Sequence, residues 1–306
     1  MIKYYYRNGN SKNIRELQSY RSGSWIYVED PSTDELEQLV DKFNLEEGHL
    51  NDALDMYEVP RLETEGKTKY MFFRFVYSEH STVETAPILF IFNDKFFITL
   101  SKEPLPFLKK FLSQPLPFQT KESTKLLLQL IFQTNATYNT MLNSISKRVR
   151  GLSVRLETFK NQDIIQFVKF ESILNEFMSN LVPNNTVLHQ LFTRKNLNLD
   201  EDDRDLVEDI LLSTNQLMEI SKSNIKNIVN LREAYSTIMT NNLNRVIKLF
   251  TSLTVLLTIP TIVASIFGMN VQLPFDQSPF AFIGIILLIF SISAILLYIF
   301  NKRQWL

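Results

Sequence analysis

The chain has 306 residues, no cysteine, 7 glycines, 32 basic and 33 acidic side chains, and a formal net charge of −1. From Leu249 onward only Asp276, Lys302 and Arg303 are charged, so residues 1–248 carry 30 basic and 32 acidic side chains, a net charge of −2. A polar body followed by an apolar tail excludes a purely soluble globular protein, the missing cysteines exclude disulfide scaffolds, zinc ribbons and thiol catalysis, and the balanced charge excludes a nucleic-acid partner.

In chain order, Met1–Tyr6 followed by Arg7 offers no apolar signal-peptide core, so the polar body is expected to stay where it is made, in a reducing compartment. Ile2–Tyr6 and Trp25–Val28 read as strands, and Ser32 with Glu35 has capping-box spacing for a helix running to about Phe43. Lys69–Tyr77, Ile88–Phe92 and Lys95–Thr99 are β-rich, with Asn93 and Asp94 as a two-residue hairpin turn. These elements predict a cytosolic α/β domain over residues 1–120. Ser123 to Arg194 changes to long amphipathic helices, broken near Asn161–Asp163 and at Pro183, which assigns residues 121–199 to long antiparallel helices.

From Asp200 there is no proline or glycine until Pro260. A continuous helix over Asp200–Phe267 would extend on the order of 100 Å at about 1.5 Å per residue. Residues 200–248 are its stalk, and residues 249–267 its first membrane span. Leu206, Ile210, Leu217, Ile220, Ile228, Leu231, Tyr235 and Ile238 recur at three and four residues along the stalk, a stripe that suits parallel copies of the chain or antiparallel packing on the upstream helices.

Leu249–Phe267 and Phe280–Phe300 are charge-free runs of 19 and 21 residues, close to the roughly 20 that cross a hydrocarbon core. Arg245 and Lys248 precede the first and Lys302 and Arg303 follow the second, while residues 268–279 between them carry no basic residue. The positive-inside rule then makes residues 268–279 an external loop, residues 280–300 the second span and residues 301–306 a cytosolic basic tail, with both termini in the cytoplasm. Tyr298 and Trp305 suit the membrane interface. Along the first span Asn244, Ile247, Thr251, Thr254, Thr258, Thr261 and Ser265 share a helical face. That stripe has two readings: hydroxyls bonded back to their own helix, or a wet path lined by several copies of it.

Enzymatic chemistry is not expected. His49, His80 and His189 lack metal-ligand spacing, no glycine cluster cradles a phosphate, and no nucleotide drives the protein. Asp200, Glu201, Asp202, Asp203, Asp205, Glu208 and Asp209 cluster where the stalk begins; they complement the helix dipole or supply oxygen ligands to a hard cation.

Gly268, Met269 and Asn270 follow the first span directly. With the two-span hairpin, the threonine-bearing span and the basic tail, they make the chain resemble the CorA family of divalent metal-ion transporters, whose signature is Gly-Met-Asn at the outer end of the first transmembrane helix. Ile26–Pro31, Asn51–Leu54, Pro60–Glu63, Asn241–Lys248 and Lys302–Leu306 are similar to family segments, and Pro260-Thr261 is similar to a pattern in part of the family. Phe267 stands where a tyrosine is often found.

The resemblance implies a CorA-like funnel homopentamer in the plasma membrane, with the α/β cytosolic domain followed by stalk helices and the two-helix C-terminal hairpin. It implies Mg²⁺ influx down the electrochemical gradient, gated by cytosolic Mg²⁺, with Mg²⁺ both transported and regulatory. Transport of Zn²⁺, Co²⁺ or Ni²⁺ by the same fold is the alternative, and a non-conducting, membrane-anchored scaffold is a third reading from a different class. Position by position, Gly268, Met269 and Asn270 would form the selectivity filter, Asn244, Thr254, Thr258 and Thr261 would line the pore, and Ile247 with Phe250 would form its hydrophobic constriction. Phe250 lies one place off the threonine stripe, so it and Thr251 compete for the axis. Asp52 matches a carboxylate of an intersubunit Mg²⁺ site, with Asp209 as partner by an ungapped count and Asp205 by local match. The family usually has Glu-Asp where this chain has Asn51 and Asp52, which removes one ligand charge.

Overall fold

The computed structural model describes residues 1–8, 13–79, 82–115, 118–154, 160–193, 199–270, 280–303 and 305. His80, Arg194, residues 271–279 of the expected external loop, and Gln304 and Leu306 of the closing segment lie outside the described residues. Two compact units, Met1–Asn230 and Leu231–Leu306, divide the chain.

The first unit is built on a seven-stranded sheet. Its strands are β1 (Ile2–Tyr6), β2 (Arg15–Leu17), β3 (Trp25–Glu29), β4 (Arg61–Glu65), β5 (Thr68–Glu79), β6 (Thr82–Phe92) and β7 (Phe97–Ser101), in the spatial order β2-β1-β3-β7-β6-β5-β4. β3 and β7 pair in parallel, and the remaining pairs are antiparallel. Strands buried on both faces are largely apolar, as β5 and β6 are apart from the buried Arg74 and Thr85, which bond to each other.

Alternate residues feed two cores. Ile26, Val28, Tyr70, Phe72, Leu89, Ile91, Ile98 and Leu100 pack with Leu36 and Leu39 of α1 (Thr33–Phe43) and Leu50 of α2 (Glu47–Asp52). Trp25, Tyr27, Phe73, Phe75, Ile88, Phe90 and Phe97 pack on the other face with α3 (Leu108–Ser113), α4 (Ser123–Ser153), α5 (Asn161–Thr193) and the first turns of α6 (Glu201–Phe267). The fully buried Trp25 keeps its indole N–H satisfied by Thr99 Oγ1 at 2.9 Å.

The capping box is formed: Ser32 Oγ accepts from the Glu35 N–H, and Glu35 Oε2 accepts from the Ser32 N–H. Asn44 ends α1 in the left-handed conformation at φ 52°, which short polar side chains tolerate. The hairpin expected to turn on two residues is longer, because Asn93 Oδ1 accepts from the Lys95 and Phe96 N–H groups and so delays β7 to Phe97. α2, α3, β2 and β4 are short elements that residue pattern did not signal.

Pro183 does not break its helix; it lies inside α5. Side-chain bonds on both flanks hold this turn on the sheet, with Asn180 Nδ2 donating to Thr85 Oγ1 at 2.9 Å and Asn184 Nδ2 donating to the Arg74 carbonyl at 3.0 Å. They offset the backbone donor that proline lacks. At the break expected near Asn161–Asp163, α5 starts at Asn161, and Asp163 Oδ2 accepts from the Lys160 N–H.

α6 is one helix of 67 residues. In the first unit it runs parallel to α4: Lys125 pairs with Asp200, Asn135 Nδ2 donates to Thr214 Oγ1 and the Ile210 carbonyl, and Asn224 Nδ2 donates to Ser146 Oγ. Both helices advance together, so the antiparallel option against α4 is excluded. The buried seam of α6 is Asp203, Val207, Ile210, Thr214, Leu217, Ser221, Asn224 and Ile228. It follows a 4,3 spacing but is half polar, which is why an apolar stripe reports only part of it.

The second unit contains the end of α6 and α7 (Ala281–Lys302). By length and composition, α6 and the stretch Phe282–Lys302 are the helices apolar enough to cross a membrane among the described residues.

Candidate functional site

Gly268, Met269 and Asn270 follow directly on the end of α6 and are exposed. The helix closes with the Gly268 N–H on the Ala264 carbonyl at 2.9 Å and the tighter Met269 N–H on the Ile266 carbonyl at 3.3 Å. A Cβ at position 268 would stand 3.2 Å from the Ala264 carbonyl oxygen, so glycine lets the backbone turn closely here. Asn270 follows at once with an uncharged amide.

Behind it, Thr251, Thr254, Thr258 and Thr261 are all exposed in the single chain. Each hydroxyl donates to the carbonyl four residues earlier, at 2.8, 2.9, 2.7 and 3.0 Å. The donors are therefore spent within the helix, while each oxygen keeps acceptor capacity. Ser252, Leu256, Ile259, Pro260 and Val263 are the shielded residues of this segment and lie on the opposite helical face. Asn244 and Ile247 continue the exposed threonine face, and Phe250 and Thr251 flank it on either side. Met239, Leu243, Val246, Ile247 and Phe250 are large apolar side chains left exposed. Asn241, Asn244, Arg245 and Lys248 give this segment a polar face, and the apolar side chains on the opposite face are the ones that need further partners.

The carboxylate region belongs to the first unit. Asp52 ends α2, and its Oδ2 accepts from Arg61 Nη2 at 2.6 Å. Glu58 and Glu63 bond the other two guanidinium nitrogens, Nη1 and Nε. Burial alone would lower the Arg61 pKa, but the hydrogen bonds and charges of Glu63, Glu58 and Asp52 leave it above its usual value. His49 Nε2, one turn before Asp52, lies 3.7 Å from Glu63 Oε2.

The connection from α2 to β4 is clamped by the buried Arg74, which donates through Nη1 to the Met56 and Glu58 carbonyls and through Nη2 to the carbonyl and hydroxyl of Thr85. Burial lowers the pKa of this guanidinium. β4 begins only at Arg61, opposite Phe72, and so does not reach Arg74. Asn184 takes over its role at Arg74, accepting from the backbone N–H and donating to the carbonyl.

Asp205 and Asp209 are exposed and line a cleft of about 460 Å³ with Phe118, Lys125, Gln129, Asp202, Asp203 and Leu206. Asp52 is not part of it. Lys125 holds the Asp200 carboxyl below the usual range by hydrogen bonding, whereas burial, aided by the Asp200 charge, raises the pKa of Asp203. Among the described residues of one chain, no three His, Asp or Glu side chains are placed to hold a metal ion. The oxygen donors Asp52, Asp205 and Asp209 have the chemistry a hard cation takes, and the single chain does not bring Asp52 together with either partner in one cleft. Sequence reasoning missed Arg61; its place in the Pro60–Glu63 segment, nine residues after Asp52, was the available signal.

The α/β domain, the long helix and the apolar helix pair fit a membrane protein. A family model, the CorA-like Mg²⁺ transporter protein, matches residues 21–303, and the chain belongs to that family. It is similar to the cobalt/magnesium transport protein CorA of Methanocaldococcus jannaschii, with 24% identity over 290 residues covering 92% of this chain and 91% of the relative. The complete structure of the CorA magnesium transporter from Methanocaldococcus jannaschii superposes with a TM-score of 0.86 at 20% identity, covering 100% of this chain and 99% of that one. The full-length CmaX protein gives 0.78 at 19% identity, covering 99% and 97%.

Proposed function

We propose that five copies of this chain assemble in the plasma membrane, both termini cytoplasmic, into a channel-like transporter that admits Mg²⁺ down its electrochemical gradient and is gated by cytosolic Mg²⁺. The observation that carries this reading is the family match across residues 21–303 with Gly268-Met269-Asn270 at the end of a helix whose threonine face is exposed. Support for assembly comes from the exposed apolar residues between Met239 and Phe250.

A ring of Asn270 amide oxygens, with the Gly268 backbone, contacts the hydrated ion through its water shell; Mg²⁺ surrenders water reluctantly, so neutral oxygens hold it without trapping it. Thr261, Thr258, Thr254 and Asn244 continue the polar lining, and Ile247 with Phe250 closes the path by excluding water. A divalent ion moving inward gains about 4.6 kcal/mol per 100 mV, twice the value for one charge, and no nucleotide is needed. Asp52 of one subunit and Asp209 of its neighbour, with Asp205 as the alternative, repel each other unless a cation neutralises them, so the metal-free ring loosens.

Co²⁺ as cargo has the support of the name of the Methanocaldococcus jannaschii relative, and Zn²⁺ and Ni²⁺ complete the alternative set. The decisive experiment is uptake of Mg²⁺, Co²⁺, Ni²⁺ and Zn²⁺ into vesicles holding the purified protein, with and without an inside-negative potential. Potential-driven Mg²⁺ uptake is expected. Uptake of a transition metal without Mg²⁺ would reassign the cargo, and no flux of any ion would leave an anchored scaffold.

A further inference from the structure

We infer that Arg61 is a resident cation of the Asp52 site, occupying the carboxylate in the metal-free protein and setting the divalent-cation concentration at which that site fills. The inference rests on the proposal that Asp52 is a regulatory ligand, and it identifies the group against which the metal must compete.

The geometry is specific. Arg61 Nη2 holds Asp52 Oδ2 at 2.6 Å, while Nη1 and Nε go to Glu58 and Glu63, so each nitrogen of the fork faces a different carboxylate. The guanidinium carbon stands 3.9 Å from the centroid of the Phe72 ring, and the side chain is 27% exposed against 46% for Asp52. Planar, stacked and bonded on three sides, the guanidinium is fixed in place. Its backbone is held in β4 opposite Phe72, and Arg74 anchors the connection carrying Glu58.

Two consequences follow from charge. First, a divalent ion approaching Asp52 meets a positive charge already bonded to that carboxylate, so binding must displace the Arg61 contact or bear its repulsion. Second, Asp52 can turn away without leaving Arg61 unpaired, because Glu58 and Glu63 stay on the other two nitrogens. Breaking a charge pair is costly chiefly when one partner is left uncompensated. One base shared among three acids therefore makes the exchange reversible: the more exposed carboxylate moves, and the guanidinium remains.

The same arrangement acts in the metal-free protein. Arg61 partly neutralises Asp52 there and lessens its repulsion of a carboxylate on the neighbouring subunit. It thereby narrows the difference between the filled and empty states, the quantity that decides how far a ligand shifts an equilibrium.

The test uses full-length protein in detergent, with protection from limited proteolysis measured against Mg²⁺ concentration for the parent, Asp52→Asn, Arg61→Gln and the double variant. Arg61→Gln is expected to lower the Mg²⁺ midpoint about three- to tenfold, the size of a partly exposed charge interaction acting on a divalent ion. Asp52→Asn is expected to raise it, and Arg61→Gln should have no further effect in the Asp52→Asn background. An unchanged midpoint with Asp52→Asn overturns the regulatory reading and this inference with it. A shift with Asp52→Asn but none with Arg61→Gln overturns the resident cation alone, as does an Arg61→Gln shift of equal size with and without Asp52. If Arg61→Gln fails to assemble, Glu58→Gln decides: with one acid fewer to share it, the guanidinium holds Asp52 more tightly and the midpoint rises about two- to threefold. An unchanged midpoint in that variant overturns the inference.

Discussion

Replacing Thr254, Thr258 and Thr261 together by valine separates a helix-packing stripe from a pore lining. Valine keeps the shape and nearly the helix propensity of threonine, so the change deletes three hydroxyls and little else. Their hydrogen bonds, 2.9, 2.7 and 3.0 Å long, go to carbonyls of the same helix. An ordinary hydrogen bond contributes a net ~0.5–1.5 kcal/mol, and a bond back to the helix's own carbonyl lies at the low end, so the triple variant should lose no more than about 2 kcal/mol per chain. Flux responds differently, because a ring repeats each loss in every subunit. At about 0.5 kcal/mol per water-mediated contact, a ring of five loses about 2.5 kcal/mol, roughly a seventyfold slower passage. The assay pairs Mg²⁺ uptake into vesicles with thermal melting of the assembled oligomer. Uptake is expected to fall at least about tenfold with assembly intact; uptake within twofold of the parent in an intact oligomer would refute the wet-path reading.

Ile247→Ser and Phe250→Ser should each raise basal flux at high internal Mg²⁺ by wetting the constriction, and patch-clamp currents that stay fully suppressed in both variants would place the gate elsewhere. Asp209→Asn should raise the Mg²⁺ midpoint for protease protection while Asp205→Asn leaves it within twofold of the parent; the reverse result moves the partner by one helical turn. Asn184→Ala should destabilise the first unit by about 1–3 kcal/mol, because the Arg74 N–H loses its acceptor inside the core while the Arg74 carbonyl keeps the Tyr138 hydroxyl. Chemical denaturation followed by circular dichroism measures this, and a loss under 1 kcal/mol would show that water or a strand shift replaces Asn184.

The two long apolar helical stretches were legible because the absence of charge over 19 and 21 residues is a property of the residues themselves, as was the capping-box spacing of Ser32 and Glu35. The long helix was legible for a similar reason: nothing between Asp200 and Pro260 interrupts it. Tertiary context hid the rest. Proline at 183 signals a break in isolation, but Asn180 and Asn184 secure the helix to β5 and β6, and neither anchor has a local signature. The buried seam of α6 includes Thr214, Ser221 and Asn224, whose burial is satisfied by α4 or by the helix's own carbonyls. A search for apolar periodicity passes over them. The Arg61 cluster is hidden in the same way, since its three carboxylates come from α2, a connection and β4, and only the fold brings them to one guanidinium.

The most direct test of Mg²⁺ passage through an Asn270 ring is uptake into vesicles by the parent and by Asn270→Ala, with the oligomer of each verified by size before reconstitution. The exposed amide at the end of α6 contributes little to packing, so the variant should assemble normally and lose Mg²⁺ uptake. Parental rates of Mg²⁺ uptake by an intact Asn270→Ala oligomer would contradict the proposed filter.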